Sequence, residues 1–251
     1  MKKIVLALAF LITISFAQDR QEKSILETWE EKVGKENPAV NVYGALFEMM
    51  HQGNLSTRID LNSLKGKKHI YGLGALTDLK GEILIMDSNV FISSETQNGD
   101  IEISNSYNYR AALFVQSQVS KWQKVELPPF VHTVSQLEDY IDSEAEKYGI
   151  DLEKPFPFII SGVIPDVKWH IINWPEGDTE HSHTKHINSG LSGNLIETSM
   201  KILGFYSKHH KAIFTHHTTN VHMHFLTNDK KISGHIDEIS FDGNQQLFFP
   251  N

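Results

Sequence analysis

Three histidines, His222, His224 and His235, fall within the run NVHMHFLTNDKKISGHID of a 251-residue chain that has no cysteine. Imidazole nitrogens bind transition metals, so the first question is whether the three rings can reach one ion. Alternate side chains of a β-strand share a face, which puts His222 and His224 on one face and Met223 on the other. The polar, glycine-containing segment TNDKKISG then predicts a turn and an antiparallel return strand.

The position of that turn decides whether the third histidine joins the first two. A turn centred near Asp229 places His235 opposite His224. The same register places Asp237 opposite His222, and directly opposed side chains lie about 5 Å apart at Cβ on one face. Three neutral imidazoles with one open position are the ligand set of a catalytic zinc site. The sequence therefore predicts a metal site, with zinc first and copper, nickel or iron as alternatives; the simpler interpretation is a solvated hairpin whose histidines happen to alternate.

Most of the fourteen histidines lie from His181 onward, so other clusters in this region are also candidate metal sites. The polar run HSHTKH contains His181, His183 and His186. It is either an accessory metal site or a solvated loop, and the sequence leaves the choice open. The adjacent pairs at 209–210 and 216–217 would point to opposite faces of a strand, so neither pair could chelate a metal as a unit.

The N-terminal run MKKIVLALAFLITISFAQ has a basic start, a short apolar stretch and a small-x-small ending. This layout predicts a cleaved secretory signal over residues 1–17, and hence an exported protein, periplasmic or secreted. Residues 18–37 are polar and acidic and are interpreted as a tail or peripheral helix. With no cysteine in the chain, disulfides and lipoprotein attachment are excluded.

The bulk composition excludes two classes of partner. A net charge of -8 argues against binding of nucleic acid through its phosphates, which requires a basic surface. No stretch from Asp19 onward is apolar for long enough to span a membrane, so no membrane contact is expected after signal cleavage.

Two helices are indicated around the strands. In VNVYGALFEMMHQGN, the apolar residues Val42, Leu46, Met49 and Met50 share a helical face, and Gly53 follows as a C-terminal cap. A second helix begins with the capping-box spacing of TVSQ at 133–136 and ends at the glycine of position 149.

The remainder reads as short apolar runs separated by turn residues, including HIYGLGALTD, GEILIMD, NVFISS, AALFVQSQV, KILGFYS, KAIFTH and NVHMHFLT. Strands dominate and the helices are set apart from them, so the predicted class is α+β. We expect one unit over residues 38–251 with two sheet-bearing halves of mixed or antiparallel strands, roughly 38–150 and 155–251. The metal site would lie on the C-terminal β-hairpin.

Three of these segments together resemble the zinc-dependent α-acetolactate decarboxylase family. VHMHFLTNDKKISGHID resembles that family's H-L-H-F-x-x-x-D-x-x-x-G-G-H hairpin, and YGLGALTDLKGEILIMDSNVF resembles its G-x-G-x-x-x-x-L-D-G-E segment. VYGALFEMMHQGN resembles its opening helix. The matches keep the family's order from about residue 40 to 250.

The resemblance implies a metal-assisted decarboxylation of 2-acetolactate, a 2-hydroxy-3-keto acid, to acetoin. In the family the metal chelates the substrate's hydroxyl and keto oxygens and stabilises the enediolate. By position, His222, His224 and His235 match the zinc ligands. Glu82 in KGEILI matches an active-site glutamate, a proton donor or substrate orienter. Family members are commonly dimeric, which implies a homodimer.

The sequence also departs from the family pattern. The segment that carries the family's active-site arginine corresponds here to VKWHIINWP, with His170 at or near that place and Lys168 two residues before it. Either side chain could stand in for the arginine, as a point charge or a proton donor, or both could be ordinary strand residues. The family's C-terminal glutamate has no counterpart before the sequence ends at LFFPN.

Three functions follow from this pattern. The first is an exported acetolactate decarboxylase in which other residues support the metal. The second is a lyase or isomerase of a related 2-hydroxy-3-keto acid. The third is a non-catalytic zinc-binding or ligand-binding protein on the same scaffold, for which His181, His183 and His186 would provide further ligands.

Overall fold

A computed structural model describes residues 37–251 of the chain. The predicted signal segment 1–17 and nearly all of the polar segment 18–37 lie outside the described residues. Within residues 37–251, no helix is long and apolar enough to cross a membrane.

The first sheet contains seven strands. They are β1 (Val40–Tyr43), β2 (Ile59–Asp60), β3 (Ile70–Leu76), β4 (Glu82–Met86), β5 (Asn89–Glu95), β6 (Ile101–Ser104) and β7 (Arg110–Gln118). Their order in space is β1-β7-β3-β4-β5-β6, with β2 beside β7, and every pairing is antiparallel. Both faces of β3 and β4 are buried, which explains why their sequences are continuous apolar runs rather than alternating ones.

The second sheet contains six strands. They are β8 (Trp122–Glu126), β9 (Phe156–Ile171), β10 (Leu191–Tyr206), β11 (Val221–Thr227), β12 (Ser233–Ser240) and β13 (Gln246–Pro250). Strands β9 and β10 form a long hairpin, β10 also pairs with β11, β11 with β12, and β12 returns to β9. These antiparallel pairings close into a ring of four strands, and β13 and β8 extend it.

In the part of the chain that the structure describes, three α-helices lie outside the sheets: α1 (Leu46–Gln52), α2 (Val134–Glu144) and α3 (His183–Ile187). Helix α1 ends at Gly53 in the left-handed conformation, with φ of 62°. Helix α2 begins with the predicted capping box between Thr133 and Gln136. A 3-10 turn continues α2 to Tyr148 and ends at Gly149, which has φ of 78°.

The two faces of β11 have different neighbours, and this difference positions the site. Met223 and Phe225 pack into the core of the second sheet. On the other face, Leu226 belongs to an apolar layer shared with the first sheet, which includes Leu73 of β3 and Leu84 of β4. The even-numbered residues of β11, among them His222 and His224, therefore face the first sheet.

The α+β class with antiparallel strands and peripheral helices is confirmed, but several local expectations differ from the structure. Val42 belongs to β1 rather than to the face of α1, because the chain turns at Gly44 before the helix begins. The run KAIFTH at 211–216 forms turns with one isolated bridge instead of a strand. Strand β8 lies within the expected first half, 38–150, yet pairs with β13 of the second sheet, so the boundary between the two sheets falls between β7 and β8.

Candidate active site

Four aligned residues on neighbouring strands form a row across the second sheet. Leu203 pairs with His224, His224 pairs with His235, and His235 pairs with His170. Directly paired residues share a face of the sheet, so the three histidines of this row point the same way. The hairpin register that places His235 opposite His224 is the one that the turn position predicted. His222 lies on the same face, two residues before His224.

The ring nitrogens of the predicted ligands converge. Nε2 of His222 lies 3.1 Å from Nε2 of His224 and 3.1 Å from Nδ1 of His235. The third distance, from His235 Nδ1 to His224 Nε2, is 3.4 Å. His224 is 1% exposed and His222 8%, so water contributes little to the solvation of their rings.

This triangle of nitrogens fits a divalent transition metal. Tetrahedral zinc bound to imidazoles at about 2.0–2.1 Å needs nitrogens that lie about 3.3 Å apart. Neutral rings with their protons on the other nitrogen would direct three lone pairs at one another, and a cation between them relieves that repulsion. The three residues can therefore supply three of the four ligands of a tetrahedral metal site and leave one position open.

The electrostatics of the pocket keep the ligand histidines neutral. Burial lowers the pKa of His222 to about 4, although the backbone near Phe214 partly opposes the shift. Burial also holds the pKa of His224 well below its ordinary value. Because metals bind the deprotonated imidazole, the site is ready to accept an ion at neutral pH.

Glu82 reaches the histidines from the first sheet. It is the first residue of β4 and is 5% exposed. Its Oε2 lies 3.7 Å from Nε2 of His224, and its Oε1 accepts a 3.4 Å hydrogen bond from the backbone N–H of Ile172. Burial raises the pKa of Glu82 to about 7, against the lowering effect of His170. A carboxyl group with this pKa can hold or release a proton near neutral pH.

The carboxylate of Asp237 holds the ring of His170, a contact that the sequence did not predict. Its Nδ1 lies 2.8 and 3.0 Å from the two oxygens of Asp237, and its Nε2 lies 3.8 Å from Oε1 of Glu82. Asp237 was expected opposite His222, but a bulge between Ile236 and Glu238 makes it an extra residue of β12. The bulge turns its side chain to His170.

Burial and the neighbouring carboxylates have opposite effects on the pKa of His170. Burial on its own would lower the pKa of His170, but the hydrogen bond to Asp237 and the charges of Glu82 and Asp237 raise it above its ordinary value. His170 is thus a buried, oriented imidazole between two carboxylates, next to the ring of His235 at a centroid distance of 4.9 Å.

Lys168, the other residue considered in place of the family's arginine, lies apart from this group. Its side chain is 56% exposed, and its Nζ lies 2.8 Å from Oε2 of Glu238. The ion pair with Glu238 raises the pKa of this lysine. Glu82 and His170 therefore lie beside the three predicted ligands, whereas Lys168 forms an ion pair with Glu238 at the surface.

A cavity of about 550 Å³ opens onto the site. Glu82, His170, His222 and His235 line it together with apolar side chains from α1, β3 and β7. Several polar lining residues were not anticipated from the sequence: His186, His216, Thr218, Thr219 and Glu238. His186 lies on the short helix α3, the residues at 216–219 lie in a turn, and Glu238 lies at an irregular strand position, so no periodic pattern marks them.

The HSHTKH run folds around a tryptophan and includes the short helix α3. The ring of His181 stacks on Trp174 at 4.5 Å, and the ring of His186 meets Trp174 edge-on at 4.7 Å. Nδ1 of His181 and Nε2 of His186 lie 2.9 Å apart, within hydrogen-bond distance. The segment is thus a packed cap beside the cavity rather than a solvated loop, and its role as an accessory metal site stays a prediction.

Comparison with known proteins gives one consistent family. The sequence model of alpha-acetolactate decarboxylase matches residues 43–248. The search of curated proteins gives no significant match.

Similar solved structures agree with that match. A Staphylococcus aureus protein of unknown function, described as similar to alpha-acetolactate decarboxylase, superposes with a TM-score of 0.64 at 14% identity, covering 84% of each chain. Alpha-acetolactate decarboxylase from Bacillus subtilis strain 168 superposes with a TM-score of 0.65 at 13% identity, covering 86% of each chain. The enzyme from B. subtilis subspecies spizizenii gives 0.65 at 13% identity, covering 86% of this chain and 87% of that one. At such identities these structures establish the fold.

Proposed function

Because the chain belongs to the alpha-acetolactate decarboxylase family, we propose that it catalyses the metal-dependent decarboxylation of 2-acetolactate to acetoin. The observation that supports the proposal most directly is the convergence of His222, His224 and His235 with Glu82 in one cavity. In a surface hairpin whose histidines share no function, there would be no reason for a buried carboxylate of another sheet, Glu82, to lie beside them.

The proposed reaction needs a charge acceptor and a proton. The bond between the carboxylate carbon and C2 breaks, carbon dioxide leaves, and the electron pair stays on the remaining hydroxyketone fragment. A proton must then reach carbon to give acetoin. His222, His224 and His235 would hold the metal, with zinc as the first candidate, and a bound metal supplies Lewis-acid stabilisation of negative charge on substrate oxygens.

The chain's own residues supply the remaining functions. Burial raises the pKa of Glu82 to about 7, so its carboxyl group can take up a proton near neutral pH and deliver it from Oε1 or Oε2 to the substrate. His170, oriented by Asp237, lies on the Oε1 side of Glu82 and positions it. Apolar side chains such as Leu79 and Leu113 line the cavity and limit access of competing water.

Purified protein loaded with zinc should release acetoin and carbon dioxide in equal amounts from racemic 2-acetolactate. The His222→Ala variant should bind no metal at the site and release neither product. His217→Ala is the matched control, since His217 is exposed and does not line the cavity. Folded, metal-loaded wild-type protein that produces neither compound would overturn the proposal and favour a non-catalytic metal-binding role. Turnover of a different 2-hydroxy-3-keto acid would favour the related lyase or isomerase.

We further propose that the protein is exported and acts as a homodimer. The signal-like run over residues 1–17 supports export, with Gln18 as the first residue of the mature chain. Mass spectrometry of the protein recovered outside the cytoplasm tests the cleavage site. Light scattering of the mature protein tests the dimer, and a monomeric mass would refute it.

A further inference from the structure

An apolar part of the cavity wall lies directly beside Glu82. Glu82 pairs with Ala75 of β3, and Ala75 pairs with Leu113 of β7. Directly paired residues share a face of the sheet, so Ala75 and Leu113 face the same side as Glu82. Both of them line the cavity. Because Ala75 has the smallest side chain of this row, the sheet leaves space next to the carboxyl group of Glu82.

Helix α1 contributes to the same apolar wall. Leu46 and Met49 lie three residues apart and therefore share one face of the helix. Both pack in one apolar cluster with Ala75 and Leu113. The members of this cluster that line the cavity, here called the apolar wall, are Leu46, Met49, Ala75, Leu79, Leu113 and Ile172.

Backbone hydrogen bonds fix α1 in its place on the wall. The first N–H groups of a helix have no acceptor within the helix and need partners elsewhere. Here the N–H of Leu46 donates to the carbonyl oxygen of Ile213, and the N–H of Phe47 donates to that of Ala212, each at 2.8 Å. The apolar wall is therefore preformed, and a ligand that binds against it does not have to order the helix.

The chemistry of the apolar wall restricts what can bind there. None of its side chains donates a hydrogen bond. A carboxylate, hydroxyl or keto oxygen placed against it would lose water without gaining a donor, whereas a hydrocarbon group would gain from burial. The polar groups of the proposed substrate therefore belong at the histidines and Glu82, and its hydrocarbon groups belong at the wall.

The cavity is large for the hydrocarbon groups of 2-acetolactate, which are only methyl groups. Its volume of about 550 Å³ lies within the range of roughly 300–1,000 Å³ that encloses drug-sized ligands. In the proposed reaction Glu82 delivers a proton to the carbon that loses carbon dioxide, C2. The substituent on C2 therefore lies next to Glu82 and Ala75, where a methyl group would leave apolar surface uncovered.

We propose that the apolar wall binds a C2 alkyl group longer than ethyl, so that the protein prefers such 2-hydroxy-3-keto acids to 2-acetolactate. The inference rests on the proposed function and keeps its chemical step. The bond from C2 to the carboxylate carbon breaks, carbon dioxide leaves, and a proton adds to C2 to give a longer hydroxyketone. Ala75 determines this preference, because a larger side chain there would occupy the space beside Glu82.

Steady-state kinetics with methyl, ethyl, propyl and butyl groups at C2 tests the preference. We expect kcat/KM to rise roughly threefold with each added methylene, as burial of one methylene predicts. Ala75→Val should lower the ratio of kcat/KM for the butyl acid to that for the methyl acid by roughly tenfold. Ala39→Val, the same change at an exposed position outside the cavity, should keep the wild-type ratio.

Calorimetry with unreactive acids separates this inference from the proposed function. 2-Hydroxyisobutyrate and 2-hydroxy-2-methylhexanoate differ only in the length of one alkyl group, and both lack the keto group that the decarboxylation needs. Zinc-loaded wild-type protein should bind the longer acid roughly tenfold or more tightly. Leu46→Ala, a change on a surface helix, should reduce this difference and provides a second variant in case Ala75→Val does not fold.

The outcomes distinguish the two proposals. Tighter binding of the longer acid by folded protein that turns over no 2-hydroxy-3-keto acid would refute the decarboxylase activity and support the apolar wall as a binding site. Equal affinity of wild-type protein for the two acids would overturn the inference whether or not the protein is active. A wild-type preference for the longer acid in both Ala75→Val and Leu46→Ala would also overturn it.

Discussion

Both carboxylate oxygens of Asp237 lie within hydrogen-bond distance of Nδ1 of His170, at 2.8 and 3.0 Å, although the two residues lie on different strands. The contact depends on the bulge in β12, which adds Asp237 between two regularly paired neighbours. Asp237 also lies 4.0 Å from Nε2 of His235, the ring nitrogen that does not face the other ligands. One carboxylate therefore orients the imidazole beside Glu82 and also lies near a predicted metal ligand.

Replacing Asp237 by Asn should impair the site without unfolding the protein. The amide keeps the size of the side chain but loses the charge that orients the imidazole of His170. We expect kcat/KM to fall by roughly 10- to 100-fold, the range typical of groups that orient metal ligands. Steady-state kinetics with metal analysis of the same sample measures the effect. Activity within about twofold of wild type would contradict this role.

His170 and Lys168 lie two residues apart on β9 and give a matched comparison. His170→Gln removes the imidazole that Asp237 holds near Glu82, and we expect kcat to fall by roughly tenfold or more. Lys168→Met should leave kcat within about twofold, because an exposed ion pair such as that with Glu238 contributes little. A loss of activity in Lys168→Met equal to that in His170→Gln would show that the lysine reaches the substrate.

The sequence predicted the register of the histidine hairpin well because that motif is local. Strand periodicity and the position of one turn suffice to place His222, His224 and His235 on a shared face, and the structure has this register. The capping box at Thr133 and the glycine cap at Gly53 are also short-range signals that the structure retains.

The rest of the site depends on contacts between distant parts of the chain. Nothing local in KGEILI shows that Glu82 reaches the histidines, and only the family resemblance indicated it. The sequence placed Asp237 on the same face as His235, but its hydrogen bond with His170, which lies 67 residues away in the sequence, was not foreseen. His216 ends a run that was predicted to be a strand and Thr218 lies just after it, so their place in the cavity was not foreseen.

Gly74 should be essential for folding because β3 runs against β7 there. Its φ is 155°, and a Cβ at this position would lie 2.1 Å from the carbonyl oxygen of Leu113. We expect Gly74→Ala to reduce the free energy of unfolding by more than about 2 kcal/mol, measured by urea denaturation. Gly99→Ala is the control, since Gly99 also has a positive φ of 79° but has nothing within 4 Å of the added Cβ. Equal destabilisation by both changes would mean that backbone strain, and not the close approach, accounts for the cost.

Glu138 links the stability of the fold to pH through the base of the 216–219 turn. Its Oε1 accepts a hydrogen bond from the N–H of Asn220 at 2.7 Å, while burial raises the pKa of the carboxyl group against the effects of that bond and of Lys211. A raised folded-state pKa means that the folded protein binds the proton more tightly than the unfolded chain. The contribution of Glu138 to stability is therefore present below the unfolded pKa of about 4.3 and is lost as pH rises through the folded pKa.

Glu138→Gln should remove this pH dependence, because the amide oxygen can still accept from Asn220 but carries no charge. We expect the variant and the wild type to have similar free energies of unfolding at pH 4, and the variant to be more stable at pH 7. Urea denaturation across that range measures the difference. Glu146→Gln, the same change at an exposed position of the following 3-10 turn, should show no such trend. Parallel pH profiles for Glu138→Gln and wild type would show that the carboxyl group of Glu138 does not couple protonation to folding.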